Sequence, residues 1–498
     1  MTLTRRDALG LLAGSLAAPA LIRAATPFEA TRESLRQYQV PEWFRDAKFG
    51  IWAHWGPQSA AEDGDWYARN MYMQGSAQYK YHVATYGHPS KFGFKDVIPT
   101  WKGDKFDPDH LVGLYRKAGA KYFVSMGVHH DNFDLWNSKH TRWNAVNMGP
   151  HKDVVGMFRK AALREGLKFG VSEHLWISYK WFAVSHASDK SGPLAGVAYD
   201  GQDPANADLY HDAACAPFAA GKLEWGPEGI PDSWRQHWLA RITDLVDQYQ
   251  PDLLYTDGAL PFEEYGLRLV SHHYNESARR NGGKVEAVYT SKRREDCEVG
   301  TCVLDVERGI VDKIWPSPWQ TDTCVGEWHY KRGAKYKSPK TVIDMLCDIV
   351  SRNGNLLLNF PLPNSGELDA EERRILAEIT DWMAVNSEGI HGSRPWKVFG
   401  EGPGTQVKAQ AAFNEGGRKD LTAEDVRYTT KGKTLYAFVM GWPEREAVLR
   451  SVTENVQNVE LLGHRGALRF TQDAAGLRVP MPSAQPSKHA VTLKIRLV

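Results

Sequence analysis

The stretch Pro251-Asp252-Leu253-Leu254-Tyr255-Thr256-Asp257-Gly258 decides the fold of this chain. Its apolar centre is too short for a helix and lies between residues that interrupt regular structure, so it predicts a buried β-strand. Asp257 then stands at the carboxyl end of that strand, where a parallel α/β barrel places its catalytic groups. A carboxylate at this position is a candidate nucleophile. On this stretch alone, an aspartate that caps the next turn is the simpler interpretation.

Strand-like and helix-like segments alternate on both sides of this stretch. Further strands are predicted by short apolar runs at 48–54, 121–126, 167–173, 285–289, 303–307 and 355–360. Helices are predicted by apolar residues at helical spacing within 109–118, 153–165, 232–249, 264–281, 341–350 and 368–385. This alternation predicts a (β/α)8-like barrel, with a doubly wound open sheet as the alternative. No glycine-rich phosphate loop opens a predicted helix, which weakens the dinucleotide-binding form of the open sheet.

The pattern changes after about residue 395. Short β-prone segments such as Thr434–Val439 and Val459–Leu462 are separated by glycine and proline, and no helical stripe follows. This pattern predicts a small antiparallel β-sandwich at the C-terminus. The predicted organisation is an export signal at 1–25, a catalytic barrel at 26–395 and a β-sandwich at 396–498.

The N-terminus has the pattern of a twin-arginine export signal. Arg5 and Arg6 precede an apolar run from Ala8 to Leu21, which is followed by Ala24-Ala25. The run is too short and too rich in alanine to span a bilayer, so no membrane insertion is predicted. An ordinary secretory signal and a lipid-free anchor are the alternatives. We expect a periplasmic or secreted protein.

Composition limits the function classes. The formal net charge of +1 offers no basic surplus for nucleic acid, so no nucleic-acid partner is predicted. The chain has 18 Trp, 20 Tyr and 18 Phe, which fill a large core or provide platforms for sugar rings in a cleft. Of the five cysteines, Cys297 and Cys302 are close enough in sequence to bridge, although the connectivity stays open. Nothing in the sequence indicates the oligomeric state.

Polar side chains stand at the ends of several predicted strands and would face one mouth of the barrel. They are His54, His129, His130, Glu173, Asp257, Glu307 and Asn359. Adjacent residues on a strand point to opposite faces, so His129 and His130 suit hydrogen bonds to sugar hydroxyls better than one metal ion. We therefore predict neither a metal nor a cofactor. Two carboxyl groups suffice for glycoside hydrolysis, and Asp257 with Glu307 is the best-placed pair.

Longer motifs in a fixed order support this interpretation. They are WFRDAKFGIWAHWGP at 43–57, WYARNMY at 66–72, HHD at 129–131, NGNLLLN at 353–359 and LTAEDVRY at 421–428. Over most of residues 43–465 the chain resembles glycoside hydrolase family 29, the α-L-fucosidases. The resemblance implies a (β/α)8-like barrel with a C-terminal β-sandwich, and a retaining double displacement without metal. It also implies a fucosylated oligosaccharide or glycoconjugate as the partner.

The resemblance assigns roles to individual residues. Asp257 corresponds to the family nucleophile and Glu307 to the acid/base, with Glu298, Glu295 and Glu173 as alternatives for the acid. The remaining positions correspond to residues that surround the sugar: His54, Trp66, His129, His130, Asp65 where the family has Glu, Tyr255 where it often has Trp, and Arg294 or Arg293 near the nucleophile. Two further departures, Val128 for Lys and Asn132 for Gly, are expected to line the sugar pocket and to affect its specificity.

Other functions stay open at this point. An α-L-galactosidase differs in substrate by one C6 hydroxyl. Two hypotheses come from other functional classes: a carbohydrate-binding barrel without activity and a metal-dependent hydrolase. The segment 178–226 has little periodicity, and we expect it to be an insertion near the mouth that influences the leaving group.

Overall fold

The computed structural model describes residues 27–298, 300–406, 412–417 and 420–498. The predicted export signal at 1–25 therefore lies outside the described residues. Within these ranges, no helix combines the length and the apolar character that a membrane span requires.

Eight parallel strands close into a barrel, which confirms the predicted fold class. Each strand pairs with the next in chain order, and the first pairs with the eighth. The strands are β1 (Phe49–Ala53), β2 (Tyr122–Val128), β3 (Lys168–Glu173), β4 (Leu253–Thr256), β5 (Val288–Ser291), β6 (Val303–Asp305), β7 (Trp319–Cys324) and β8 (Gly354–Asn359). Strand β7 was not among the predicted strands, and β5 lies three residues further along the chain than its predicted start.

Helices surround the barrel and connect its strands. They are α1 (Arg32–Leu35), α2 (Glu42–Ala47), α3 (Tyr67–Asn70), α4 (Ala77–Thr85), α5 (Phe94–Val97), α6 (Pro108–Lys117), α7 (Val154–Arg164), α8 (Ser178–Trp181), α9 (Ala207–Tyr210), α10 (Asp232–Tyr249), α11 (Glu264–Arg280), α12 (Arg294–Glu298), α13 (Pro339–Ser351) and α14 (Ala370–Asn386). Side-chain caps set several helix starts: Asp107 accepts from the His110 N–H, Asp153 from Gly156 and Asp369 from Glu372.

Large side chains fill the interior of the barrel. Trp52, Tyr122, Tyr255 and their apolar neighbours form one buried cluster inside the strands. Tyr122 approaches β1 so closely that a Cβ at Gly50 would lie 2.3 Å from its ring, so only glycine fits there. The barrel is therefore a packed core with its chemistry confined to the strand ends.

Antiparallel strands follow the barrel, as the sequence predicted. They are β9 (Arg394–Glu401), β10 (Val426–Lys431), β11 (Thr434–Val439), β12 (Glu446–Leu449), β13 (Val456–Leu461), β14 (Thr471–Asp473), β15 (Gly476–Pro480) and β16 (Val491–Leu497). Five of them form one sheet in the order β13-β16-β11-β10-β9, and three form a second in the order β12-β15-β14. Apolar residues of both sheets, including Tyr428, Leu435 and Leu477, share one buried core.

Buried polar contacts join the C-terminal sheets to the barrel. The guanidinium of Arg427 on β10 is fully buried and lies 2.5 Å from an Asp348 carboxylate oxygen on α13. Glu415 accepts from Arg308 Nε at 2.6 Å and from Thr323 Oγ1 at 2.7 Å, and it pairs with Lys337 Nζ at 3.1 Å. The segment around Glu415 is thereby held against the loop that follows β6.

A disulfide joins Cys297 to Cys302 across the turn between α12 and β6. Cys215, Cys324 and Cys347 are buried free thiols. The pairing that the sequence left open is therefore the short-range one.

Candidate active site

A cavity of about 390 Å³ opens at the carboxyl ends of the barrel strands. It is lined by aromatic rings, histidines and carboxylates, namely Trp52, His54, Asp65, Trp66, His129, His130, His174, Trp225, Tyr255, Asp257, Gly258, Lys292, Glu307, Asp322, Trp328 and Phe413. An apolar lining with a few converging polar groups is typical of a small-molecule site.

Most of the residues that the sequence singled out come together in this cavity. They are His54, Asp65, Trp66, His129, His130, Tyr255, Asp257 and Glu307. The prediction for Arg294 is wrong in its placement, because Arg294 begins α12 and its guanidinium lies 4.9 Å from the centre of the Trp315 ring, outside the cavity. Arg293 pairs with Asp296 at 2.9 Å and is also absent from the lining.

The cationic side chain next to Asp257 is Lys292, whereas the family resemblance had predicted an arginine there. Strand β5 ends at Ser291, so Lys292 is the first residue beyond the strand tip. Its ammonium lies 2.5 Å from Asp257 Oδ1 and 2.5 Å from Glu307 Oε2. Because one nitrogen contacts both, these two oxygens lie no more than about 5 Å apart, close to the roughly 5–5.5 Å between the carboxyl groups of retaining glycosidases.

Asp257 is surrounded by nitrogen atoms of basic side chains. Besides Lys292, His130 Nε2 and His174 Nδ1 lie 3.3 Å and 3.2 Å from its Oδ2. Burial disfavours the ionised carboxylate, but the Lys292 ammonium and His174 outweigh that effect and hold the pKa of Asp257 well below its usual value. Asp257 is thus an ionised carboxylate at neutral pH, as a nucleophile must be.

The pKa of Glu307 is shifted in the opposite direction to that of Asp257. Burial raises the pKa of Glu307 to about 7. The positive charge of Lys292 lowers this pKa, whereas the negative charges of Asp322 and Asp257 raise it further. Asp322 lies 3.8 Å from the Lys292 ammonium and accepts a 2.6 Å hydrogen bond from the Tyr255 hydroxyl. Glu307 can therefore hold a proton near neutral pH while Asp257 is ionised, which is the division of roles that acid/base catalysis by two carboxyls needs.

The two adjacent histidines both face the cavity, which differs from the alternation that the sequence predicted. Strand β2 ends at Val128, so the backbone of His129 and His130 no longer follows the strand repeat. His129 Nδ1 lies 2.9 Å from Gln58 Nε2, and His130 Nδ1 lies 2.5 Å from the His174 carbonyl oxygen. Burial holds the pKa values of His129 and His54 well below the usual value, so both rings are neutral.

Asp65 and Trp66 line the cavity next to the histidines. Asp65 Oδ1 lies 2.6 Å from His329 Nδ1 and so orients that buried ring. Trp66 has a left-handed backbone with φ of 61°, and its ring lies edge-on to those of His130 and Trp181. These contacts fix hydrogen-bonding and apolar groups in the lining of the cavity.

Three sets of these side chains are close enough to hold a metal ion. In each set the ligand atoms lie within 4.8 Å of one another: His54, His129 and His174; Asp65, His129 and His329; His130, His174 and Asp257. The absence of a resident metal therefore stays a prediction.

Among the residues considered as alternative acids, those whose side chains the structure describes do not reach the cavity. Glu173 is fully buried and accepts from Leu175 N–H, Trp238 Nε1 and Thr256 Oγ1. Glu295 is exposed on α12, and the side chain of Glu298 lies outside the described part of the chain.

Two substitutions predicted to line the pocket lie elsewhere. Val128 and Asn132 are both buried and absent from the cavity lining. Asn132 has a left-handed backbone with φ of 63°, a conformation that glycine and asparagine tolerate, and its Oδ1 accepts from the buried Arg241.

Several cavity residues were not predicted: His174, Lys292, Asp322, Trp328, Trp225 and Phe413. Lys292 stands directly after β5, whose end the sequence placed two residues too early. His174 stands directly after β3, whose end at Glu173 was predicted correctly, but only the last residue of that strand was considered as a site residue. Asp322 lies on the unpredicted β7. Trp225 comes from the segment 178–226, which does reach the mouth as expected, and Phe413 comes from the C-terminal part.

Comparison with known proteins agrees with this geometry. The family model described as alpha-L-fucosidase matches residues 15–388, and that of the alpha-L-fucosidase C-terminal domain matches residues 418–496. Human tissue alpha-L-fucosidase is 27% identical over 503 residues, covering 96% of this chain and 94% of its own length. Human plasma alpha-L-fucosidase is 26% identical, covering 92% of this chain and 89% of its own length.

A solved structure shares the fold. The α-fucosidase of Thermotoga maritima in complex with fucose superposes with a TM-score of 0.71 at 22% sequence identity, covering 94% of this chain and all of that one. Because the family model spans most of the chain and the barrel carries a paired carboxylate site, the chain belongs to the α-L-fucosidase family of glycoside hydrolases.

Proposed function

We propose that this protein is a retaining exo-α-L-fucosidase that releases terminal α-L-fucose from fucosylated oligosaccharides or glycoconjugates. The single observation that carries the proposal is the shared contact of Lys292 with Asp257 and Glu307, at 2.5 Å from each. It brings together one ionised and one protonatable carboxyl at a separation that leaves no room for a water between nucleophile and sugar.

In the first step of the proposed mechanism, Asp257 Oδ2 or Oδ1 attacks the anomeric carbon and the bond to the leaving oxygen breaks. Glu307 gives its proton to that oxygen, because a sugar alkoxide is a poor leaving group. Lys292 stabilises the carboxylate that Glu307 becomes. The product of this step is a covalent fucosyl ester of Asp257.

In the second step, Glu307 acts as a base and takes a proton from water, whose oxygen attacks the same anomeric carbon. The ester bond to Asp257 breaks, and the configuration of the sugar is retained after two inversions. The donors around Asp257 stabilise the departing carboxylate.

The neutral histidines suit recognition of sugar hydroxyls. A neutral imidazole carries one donor and one acceptor nitrogen, which matches the dual character of a hydroxyl group. His54, His129 and His174 also have their rings packed within 4.6–6.0 Å of one another, so their positions are fixed before a sugar binds. Trp66, with its ring at the cavity wall, provides an apolar surface for the sugar.

We propose that residues 1–25 direct export by the twin-arginine route, and that 26–395 and 396–498 are the catalytic barrel and the β-sandwich. The Arg5-Arg6 pair before a weak apolar run supports the route. The change from barrel to antiparallel sheet between α14 and β9 supports the boundary.

Replacement of the nucleophile tests the proposed function. Asp257→Ala should abolish turnover of 4-nitrophenyl α-L-fucoside, and azide should restore activity by forming the fucosyl azide of inverted configuration. The matched control is Asp252→Ala, at the other end of the same strand, where the carboxylate pairs with Lys168 at 2.9 Å. The control should keep its kcat, because groups at the amino end of a barrel strand contribute to stability.

The substrate is tested with the wild-type enzyme on 4-nitrophenyl α-L-fucoside, α-L-galactoside, β-D-galactoside and α-L-rhamnoside. We expect the fucoside to give the highest kcat/KM. A higher value for the α-L-galactoside would replace the proposed substrate, and no turnover of any glycoside would favour a carbohydrate-binding barrel without activity.

A further inference from the structure

The exposed aromatic side chains of this protein are concentrated at one place. Among the Trp, Tyr and Phe residues that the structure describes, only Trp225 and Phe413 have half or more of their surface exposed, at 51% and 62%. Both line the active-site cavity. An exposed apolar ring at the mouth of a cleft costs solvation free energy without contributing to the core, so it indicates a bound ligand surface.

Phe413 is held on the side of the proposed acid. Its backbone N–H donates to the Glu307 carbonyl oxygen at 2.8 Å, and the Glu415 N–H donates to the Arg308 carbonyl oxygen at 3.0 Å. Between them, the Asn414 side chain accepts from the Ile310 N–H at 3.1 Å and donates to the Ile310 carbonyl at 3.2 Å. Three consecutive residues therefore fix this segment along the loop that carries Glu307.

The backbone of Phe413 has a left-handed φ of 63°, which is unfavourable for a bulky residue. The three flanking contacts, together with the charged contacts of the Glu415 carboxylate, hold it in that conformation. Strain that surrounding contacts maintain at a site mouth is typical of functional positions.

We propose that Phe413 forms the binding surface for the leaving-group sugar, taking the apolar face of a pyranose ring. This inference rests on the proposed function, since it concerns the group that α-L-fucose is released from. A nucleophile attacks opposite the bond that breaks, so the leaving group lies on the side of the acid that protonates its oxygen. Phe413 is on that side, whereas Trp225 has its ring 5.7 Å from His130 and 5.9 Å from Trp66, on the side of the nucleophile.

The ligand class follows from the chemistry of the ring. An exposed benzene face binds a flat array of C–H groups, such as one face of a galactose or N-acetylglucosamine residue, and adds little for a small alcohol. The sugar thus contributes contact area at Phe413 and leaves its other hydroxyls in water. A substrate whose leaving group is methanol needs the same protonation by Glu307 but offers no ring.

The test compares two substrate types in Phe413→Ala. The first is the best substrate of the wild-type enzyme among fucosyl disaccharides of different linkage, and the second is methyl α-L-fucoside. We expect the ratio of their kcat/KM values to fall about five- to tenfold, the size that one stacked ring supplies, mainly through the KM of the disaccharide. Phe413→Tyr should restore the ratio.

Leu163→Ala is the matched control, because Leu163 is an apolar residue with 50% exposure on the outer helix α7. It should leave the ratio unchanged. An equal loss on both substrates in Phe413→Ala would mean that the segment only positions Glu307, and would overturn the inference. The inference would also be overturned if the ratio fell in Trp225→Ala but not in Phe413→Ala. A wild-type enzyme that prefers no disaccharide over methyl α-L-fucoside would overturn it as well. Failure of the proposed function would appear as no turnover of the aryl fucoside by the wild-type enzyme, whereas failure of this inference would leave that turnover intact.

Discussion

Replacement of Lys292 by Met would remove the charge that the carboxyls of Asp257 and Glu307, the proposed catalytic pair, share. At 2.5 Å and an effective dielectric constant of about 20, the attraction between the ammonium and one carboxylate is roughly 7 kcal/mol. Desolvation of the buried charges consumes much of this, so we expect each carboxyl pKa to change by about one to three pH units, or about 1.4–4 kcal/mol.

The direction of the change is the same for both groups. Lys292 lowers the pKa of Asp257 and also opposes the rise that burial causes in the pKa of Glu307, so both values increase when it is removed. Activity requires Asp257 ionised, so the acidic limb of the kcat/KM profile should move to higher pH. Activity also requires Glu307 protonated, so the alkaline limb, near pH 7 in the wild-type enzyme, should move to higher pH as well.

The assay is the pH dependence of kcat/KM for 4-nitrophenyl α-L-fucoside in the wild-type, Lys292→Met and Lys292→Arg enzymes. Lys292→Arg keeps the positive charge and should leave both limbs close to their wild-type positions. A Lys292→Met profile that narrows, moves to lower pH or keeps its limbs would refute the electrostatic role assigned to Lys292. Circular dichroism of the variants would show whether a lower rate reflects unfolding instead.

The other predictions concern the acid, the histidines and export. Glu307→Ala should retain the first step on 4-nitrophenyl α-L-fucoside and lose disaccharide hydrolysis by orders of magnitude, with azide restoring deglycosylation with retention; a loss of only a few-fold on a disaccharide would assign the acid to another residue. His129→Ala should lose about 1.5–3 kcal/mol of transition-state binding, because a sugar hydroxyl is left unpaired, as measured by kcat/KM. Elemental analysis of the purified wild-type enzyme should find no stoichiometric metal, and zinc at full occupancy would contradict the role assigned to the histidines. Changing Arg5 and Arg6 together to Lys should leave the precursor in the cytoplasm with its signal uncleaved, whereas normal export would indicate the general secretory route.

The sequence predicted the barrel strands correctly where those strands are apolar. The runs that became β1, β2 and β4 contain mostly Val, Leu, Ile and aromatic residues, β3 and β8 have the apolar centres FGV and LLL, and polar groups stand at the ends of these strands. Strand β7 reads WQTDTC, and its polar residues are satisfied only by neighbours far apart in sequence, such as Tyr255 for Asp322. Single-sequence periodicity does not register such a strand.

The site was predictable to the same extent. His54, His129, His130 and Asp257 follow apolar strands, and all four line the cavity. The assignment of Arg294 rested on the family resemblance alone, and the structure has Lys292 at the tip of β5 whereas Arg294 begins a helix. Phe413 lies more than a hundred residues beyond Glu307, and the contacts of Phe413, Asn414 and Glu415 with the loop after β6 bring it there. Tertiary contacts of this kind leave no local pattern.

Because the Glu415 contacts join the C-terminal segment to the barrel, binding of a ligand is also linked to the folding of both parts of the chain. A sugar that touches Phe413 as well as the barrel binds more tightly when the C-terminal segment is in place, so by mass action it stabilises the two parts together. At a ligand concentration of 100 times Kd this linkage adds about 2.7 kcal/mol to their joint free energy of unfolding. A chain engineered to end near residue 395 would lose Phe413 together with the contacts that hold the loop carrying Glu307. Shortening the protein for biotechnological use would therefore remove the proposed binding surface for the leaving-group sugar.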